Sequence, residues 1–188
     1  LEYTLAAVGT WGTAPSKIQP FGPGVLLPNA RNFTLGTPTS TTGGTSIDFT
    51  GIPAGVKRVT LNPVGISTNG TSLLIAQLGV AGGPETSGYL GTSEYTSGGP
   101  STFTAGFPIC KAAFAANVSH GSLQFDLVDA STNTWVCKGL TGQSDAAAVT
   151  RTAGSKSLAG PLDRIRVTTV GGTDTIDALT KMNVSWEF

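Results

Sequence analysis

From position 46 onward the chain is written in short apolar alternations separated by turn residues. Ile47 and Phe49 alternate with Ser46, Asp48 and Thr50. Val56, Arg58 and Thr60, with Val59 and Leu61 between them, define the two faces of a second strand. A period of two is the signature of a half-buried strand. Residues 73–78 form a further run, and 103–110, 123–128, 134–138, 164–170 and 183–188 complete the set of strand candidates. Asn69-Gly70, Gly82-Gly83, Gly98-Gly99 and Gly171-Gly172 lie between the runs, where positive φ angles are easily met. Residues 112–116 and 145–149 read as single helical turns, too short to serve as crossovers in a parallel sheet, so the strands are expected to pair antiparallel. The predicted fold is all-β: an antiparallel, jelly-roll-like β-sandwich over 46–188.

The first 45 residues follow a different rule. Pro15, Pro20, Pro23, Pro28 and Pro38 alternate with Gly12, Gly22, Gly24 and Gly36, a density that prevents long regular elements. Residues 1–45 are therefore read as an extended Pro/Gly-rich N-terminal arm. Such a segment lies across a neighbouring subunit, joins the module to a larger body, or packs as a loop on its own domain.

Composition strengthens the β reading. Gly (26), Pro (11), Thr (28) and Ser (16) fill 81 of 188 positions, whereas Glu, Lys and Arg supply only 15. Gly and Pro oppose helix propagation, and β-branched Thr prefers strands. Hydrophobic residues at 39% are enough for a core. Eleven basic residues balance eleven acidic ones. A neutral chain lacks the basic stripe that nucleic acid or an anionic membrane requires. Low charge also favours association, which points towards a subunit of an assembly. No apolar run approaches the ~20 residues of a membrane helix. The segment Leu1-Glu2-Tyr3-Thr4 shows neither the basic region nor the long apolar stretch of a signal peptide.

Candidate chemistry is sparse. Cys110 and Cys137 are the only cysteines, each in an apolar stretch. They read as reduced thiols acting as small hydrophobes or, in an oxidising compartment, as one disulfide between strands. His120 is the single histidine, placed by its neighbours in a solvent-facing loop, and no local nucleophile accompanies it. Zinc ligation lacks ligands. Asp174 with Asp177, and Asp126 with Asp129, offer oxygens for calcium but miss the loop spacing it needs, so turn capping is the expected role. No catalytic residue, metal or cofactor is assigned. The one cluster of carboxylates and aromatics surrounds Ser87-Gly88-Tyr89-Leu90-Gly91: Tyr89 and Tyr95 could stack on a sugar ring while Glu85 and Glu94 accept its hydroxyl protons. The alternative is a loop whose tyrosines lie on a sheet edge.

Several blocks then carry a resemblance. Ser46-Ile47-Asp48-Phe49-Thr50-Gly51-Ile52-Pro53-Ala54-Gly55-Val56-Lys57-Arg58-Val59-Thr60 is followed by Gly65-Ile66-Ser67-Thr68-Asn69-Gly70-Thr71-Ser72, Gln77-Leu78-Gly79 and Glu85-Thr86-Ser87-Gly88-Tyr89. The last block runs from Leu162-Asp163-Arg164-Ile165-Arg166-Val167 through Gly171-Gly172-Thr173-Asp174-Thr175-Ile176-Asp177. In this order they resemble a β-rich module of tailed-phage and prophage virion proteins, often found at the ends of tail fibres. The resemblance covers roughly 43–188 and leaves out the Pro-rich segment.

It implies a virion structural protein, assembled in the bacterial host cytoplasm as a homo-oligomer, with a trimer the expected form, beside other virion proteins. It carries no catalytic residue. Three roles compete: a tail fibre or tip module that attaches to a host-surface glycan, a capsid decoration protein that binds no ligand, and a glycan depolymerase using Glu85 and Glu94.

Overall fold

Alternation of apolar and polar side chains becomes strand wherever a second layer can bury one face, and this chain supplies two such layers. In a computed structural model the described residues are 33–40, 43–96, 98–110, 117–177 and 181–188. The strands are β1 (Thr34–Leu35), β2 (Thr39–Ser40), β3 (Ser46–Thr50), β4 (Arg58–Ile66), β5 (Leu74–Val80), β6 (Gly83–Pro84) and β7 (Leu90–Tyr95). They continue with β8 (Gly98–Thr102), β9 (Phe107–Cys110), β10 (Ser119–Asp129), β11 (Thr134–Gln143), β12 (Val149–Ser157), β13 (Arg164–Thr169) and β14 (Lys181–Glu187).

The larger sheet runs β1-β14-β4-β10-β11-β12-β7-β8, with β2 also on β14; the smaller runs β3-β13-β5-β6, with β9 on β5. Every pairing among the described residues is antiparallel. The fold is thus the antiparallel β-sandwich that the alternation predicts. No helix among the described residues is long and apolar enough to cross a membrane.

Between the sheets lies one apolar cluster that includes Phe49, Val59, Leu61, Leu78, Phe107, Phe125, Trp135, Ile165 and Val184. Its centre is aromatic. Phe107 meets Tyr89 edge-on at 5.0 Å and Phe103 at 5.6 Å, and Phe125 lies at 5.6 Å. Such pairs add to what their buried area alone contributes.

Strand β5 is buried over six consecutive residues. Its outer face is covered by the stretch before β9: the Gln77 side-chain amide donates to the Ala105 carbonyl at 2.8 Å, and a Cβ on Gly106 would crowd Ile75 and Ala76. Both faces are therefore dry, which is why its sequence reads as a run and not as an alternation.

Several sequence expectations need correction. Residues 145–149 form no helical turn. They are a bend closed by the Gln143 N–H on the Ala148 carbonyl, and Val149 already opens β12. His120 is not in a loop but on β10, because Ser119-His120-Gly121 has no apolar pattern and is held instead by backbone pairing to β11. The helical turn expected at 112–116 lies outside the described residues. So do residues 1–32 of the expected arm, whereas Thr34–Leu35 and Thr39–Ser40 pair with β14.

Strands β7, β8 and β12 have no counterpart among the strand candidates. The inward side chains of β12 include Thr150, Thr152 and Lys156, all buried. The Thr152 hydroxyl donates to the Pro108 carbonyl at 2.7 Å, and the Thr141 hydroxyl of β11 donates to the Ile109 carbonyl. Hydroxyls of the large sheet thus cross the sandwich to the backbone of β9. This seam satisfies buried polar groups that would otherwise destabilise the core.

Candidate functional site: the Glu85–Tyr95 region and its surroundings

Glu85, just after β6, is tied down from two sides. Its Oε2 lies 2.5 Å from the Lys156 ammonium, and its Oε1 accepts the Ala159 N–H at 2.7 Å. Burial alone would raise this carboxyl, but the Ala159 amide and the Lys156 ammonium outweigh it and hold the group below its ordinary value. The Lys156 side chain is 8% exposed and its ammonium sits 5.6 Å from the centre of the Tyr89 ring. It also donates to the Ser157 carbonyl at 2.8 Å.

Tyr89 is fully buried. Its hydroxyl accepts the Leu78 N–H at 2.8 Å and donates to the Glu85 carbonyl at 2.8 Å. Burial pushes the phenol well above its ordinary value, so it remains protonated. The expectation that Tyr89 stacks on a sugar is therefore corrected: its ring is a core element that bolts the 85–89 loop to β5.

Glu94 and Tyr95 behave differently. Glu94, on the outer face of β7, pairs with Arg151 of β12 at 2.9 Å, and both side chains are well exposed. Opposite β-registers bring them together, Arg151 facing Glu94 and Thr150 facing Tyr95. The Tyr95 ring lies over Gly98, where a Cβ would overlap it. With Thr96, Val149 and Gly98 these residues line an open hollow of about 240 Å³ at the β7–β8 turn.

The four sequence candidates are thus split. Glu85 and Tyr89 belong to a closed network, Glu94 and Tyr95 to a surface hollow. Lys156 and Arg151 are five residues apart on β12 and point to opposite faces, a spacing of roughly 17 Å along a strand. The two glutamates they hold do not converge on one bond, as a glycosidase pair at about 5–10 Å must.

His120 touches Ser144: the Nε2···Oγ distance is 3.2 Å. The tautomer decides what this pair can do. The Gly65 N–H donates to Nδ1 at 3.1 Å, so Nδ1 holds the lone pair and the neutral ring carries its proton on Nε2, pointed at the serine. A general base needs the reverse arrangement.

The acidic residues singled out for calcium are occupied by protein donors. Asp174 accepts the Ser72 N–H at 2.8 Å, and Asp177 accepts the Ser67 hydroxyl. With the Thr175 N–H on Asn69 Oδ1 and the Thr68–Ile176 bridge, they form a clasp between 67–72 and 173–177. Asp126 takes Arg58 at 2.6 Å and Lys138 at 3.8 Å, while Asp129 caps its own turn through Ser131 and Thr132. No group of three or more His, Cys, Asp or Glu gathers among the described residues. Cys110 and Cys137 are both buried; the Gln143 side-chain amide donates to the Cys110 sulfur at 3.0 Å, and burial pushes the Cys137 thiol far up.

A second recess lies where the 51–57 connection, the turn before β11 and the Pro161-Leu162 segment meet. It measures about 170 Å³ and is walled by Pro53, Leu127, Pro161 and Leu162, with Lys57, Asn133 and Trp135 also among its lining residues. Nothing in the sequence marked Arg151, Lys156 or Trp135. The first two sit on β12, whose inward polar face concealed the strand, and Trp135 falls within the 134–138 strand candidate, where nothing sets it apart.

Comparisons with known protein families, characterised proteins and solved structures find no match.

Proposed function

We propose that this chain is a tailed-phage virion structural protein whose sandwich serves as a tail fibre or tip module contacting a host-surface saccharide. The observation that carries this reading is the hollow at the β7–β8 turn. A solvent-open guanidinium and carboxylate beside a tyrosine ring offer the donor, the acceptor and the apolar face that neighbouring hydroxyls on a sugar ring require.

The placement of the resembling blocks supports the same reading. They fall on β3, the 51–57 connection and the start of β4, on β5 and β13, on the 67–72/173–177 clasp and on the 85–89 loop. The hollow lies outside them, as a recognition surface carried on a shared framework would. The proposed form is a homotrimer on the virion, assembled in the host cytoplasm, where many weak contacts multiply with copy number.

Purified protein should adsorb to host cells and compete with phage adsorption. Arg151→Ala and Glu94→Gln, both at exposed positions, should weaken adsorption while leaving the fold intact. Failure of the wild-type protein to adsorb or compete would remove the attachment role.

A capsid decoration role is the second reading, favoured by the exposed apolar side chains Leu90, Val136 and Leu140 on the outer face of the large sheet. Under that reading particle occupancy, and not cell adsorption, is lost when residues 1–45 are deleted.

A further inference from the structure

The Trp135 recess carries an unexplained donor. Trp135 is 2% exposed, and its indole N–H has no acceptor among the described residues. Buried donors in folded proteins are nearly always paired, because an unpaired one has lost its water without replacement. Here the orphan belongs to a residue that lines a recess, and the other walls are mainly apolar, with Pro53, Leu127, Pro161 and Leu162 prominent and Asn133 adding one side-chain amide. One cation, Lys57, stands among the lining, its ammonium donating to the Gly55 carbonyl at 3.1 Å. An apolar recess with a few fixed polar groups is the usual form of a small-ligand site.

The chemistry of the walls defines the occupant. The orphan N–H calls for a carbonyl or similar acceptor. Proline and leucine walls call for a methyl-sized apolar group next to that acceptor. The exposed ammonium calls for further oxygens towards solvent. An acetamido group on a sugar ring meets all three: its methyl fits the apolar walls, its carbonyl takes the indole N–H, and the ring hydroxyls reach Lys57. A recess of about 170 Å³ holds one such group with part of its ring.

The N–H is sealed from solvent, so entry displaces the exposed lip Pro53-Ala54-Gly55. That lip is anchored by buried Ile52 and Val56, with Gly51 (φ 75°) ahead of it and Gly55 (φ 89°) as its last residue. We infer that the recess between Pro53, Leu127, Trp135 and Pro161 binds the acetamido group of an N-acetylated sugar. The inference takes from the proposed attachment role only the class of ligand, a saccharide. Its site is separate from the hollow at Glu94 and Arg151.

The test uses the full chain labelled with nitrogen-15, with methyl N-acetylglucosaminide as probe and methyl glucoside as control. The Trp135 indole resonance is assigned by its loss in Trp135→Phe. It should move on addition of the acetamido sugar at millimolar concentration and stay in place with the glucoside. Trp135→Phe keeps an aromatic side chain, a phenyl ring in place of the indole, and removes the donor, and should weaken binding about tenfold. Lys57→Met, at an exposed position, should weaken it a few-fold and serves as the second variant should Trp135→Phe fail to fold.

An unmoved indole signal at tens of millimolar acetamido sugar, or an equal response to the glucoside, would overturn the inference. Cell adsorption by a protein whose Trp135 signal ignores the acetamido sugar removes this site and keeps the attachment role. A responding Trp135 in a protein that does not adsorb removes the role and keeps the site.

Discussion

The two sheets bury their residues by different rules. In the small sheet β5 is dry on both faces, β9 is buried at all four residues, and Ile165 and Val167 of β13 are fully enclosed. In the large sheet β11 and β12 alternate, one face on the core and the other bearing Val136, Lys138, Leu140, Arg151 and Ala153 towards solvent. The β5–β9 part of the small sheet is therefore a packing element, while its strand β3 alternates and the large sheet keeps a free face. Recognition can evolve on the second without disturbing the first, and the Glu94–Arg151 hollow is found there.

That contrast can be broken most sharply inside the core. Phe107→Ala removes a ring that touches Tyr89, Phe103 and Phe125, and should destabilise the domain by about 3–5 kcal/mol in denaturant unfolding. A loss under about 1 kcal/mol would mean that the small sheet is not the packing centre described here.

Next in size is Lys156→Met, which strands the Glu85 carboxylate. Because Glu85 keeps some access to water, the expected loss is about 2–3 kcal/mol, below the value for a fully buried pair.

Acid should act on the same network. Glu85 and Asp126 are held below their ordinary values, the first by Ala159 and Lys156, the second by Arg58 and Gln124, each against the opposing effect of burial. A carboxyl depressed in the folded state stabilises it above the unfolded pKa, and that contribution disappears as pH falls through the folded value. Unfolding free energy should therefore decline below about pH 4, and Glu85→Gln should show a shallower decline than wild type between pH 5 and pH 2.

The smallest effect belongs to the free face. Leu140→Ala, at a side chain 56% exposed, should change stability by no more than about 0.5 kcal/mol. The same truncation at fully buried Leu78 should cost about 2–5 kcal/mol. Equal costs at the two sites would erase the distinction between the sheets.

The sequence was readable where apolar alternation was the whole story. Strands β3, β4, β5, β10, β11, β13 and β14 follow from Ile47 and Phe49, Val59 and Leu61, the 73–78 run, Leu123 and Phe125, Trp135 and Cys137, Ile165 and Val167, and Val184. It was opaque where polar side chains face inward. In β12 the threonines and Lys156 mimic a surface strand, and only their partners in β9 and on Glu85 reveal burial. In β7 and β12 glycine takes an inward position in place of an apolar residue. Gly91 faces Gly154 across the strands, and the Phe103 ring lies so close that a Cβ on either would overlap it.

The candidate site divided for a related reason. Tyr89 and Tyr95 look alike in sequence, yet the first faces β5 and the second the solvent-open turn. His120 could be placed only once its two nitrogens had named partners.

Strand β14 holds a position that its place in the chain does not suggest. It lies between β4 on one side and β1 with β2 on the other, so Thr34 meets Trp186 and Lys181 meets Val64. The earliest described segment cannot dock until residues 181–187 exist to receive it, which makes closure of the large sheet a late event governed by long-range contacts. Until then β4 presents a bare hydrogen-bonding edge, and a chain cut short before position 181 keeps it permanently. Such a fragment should recruit strands from its neighbours, so that premature termination yields aggregates in place of a smaller folded domain.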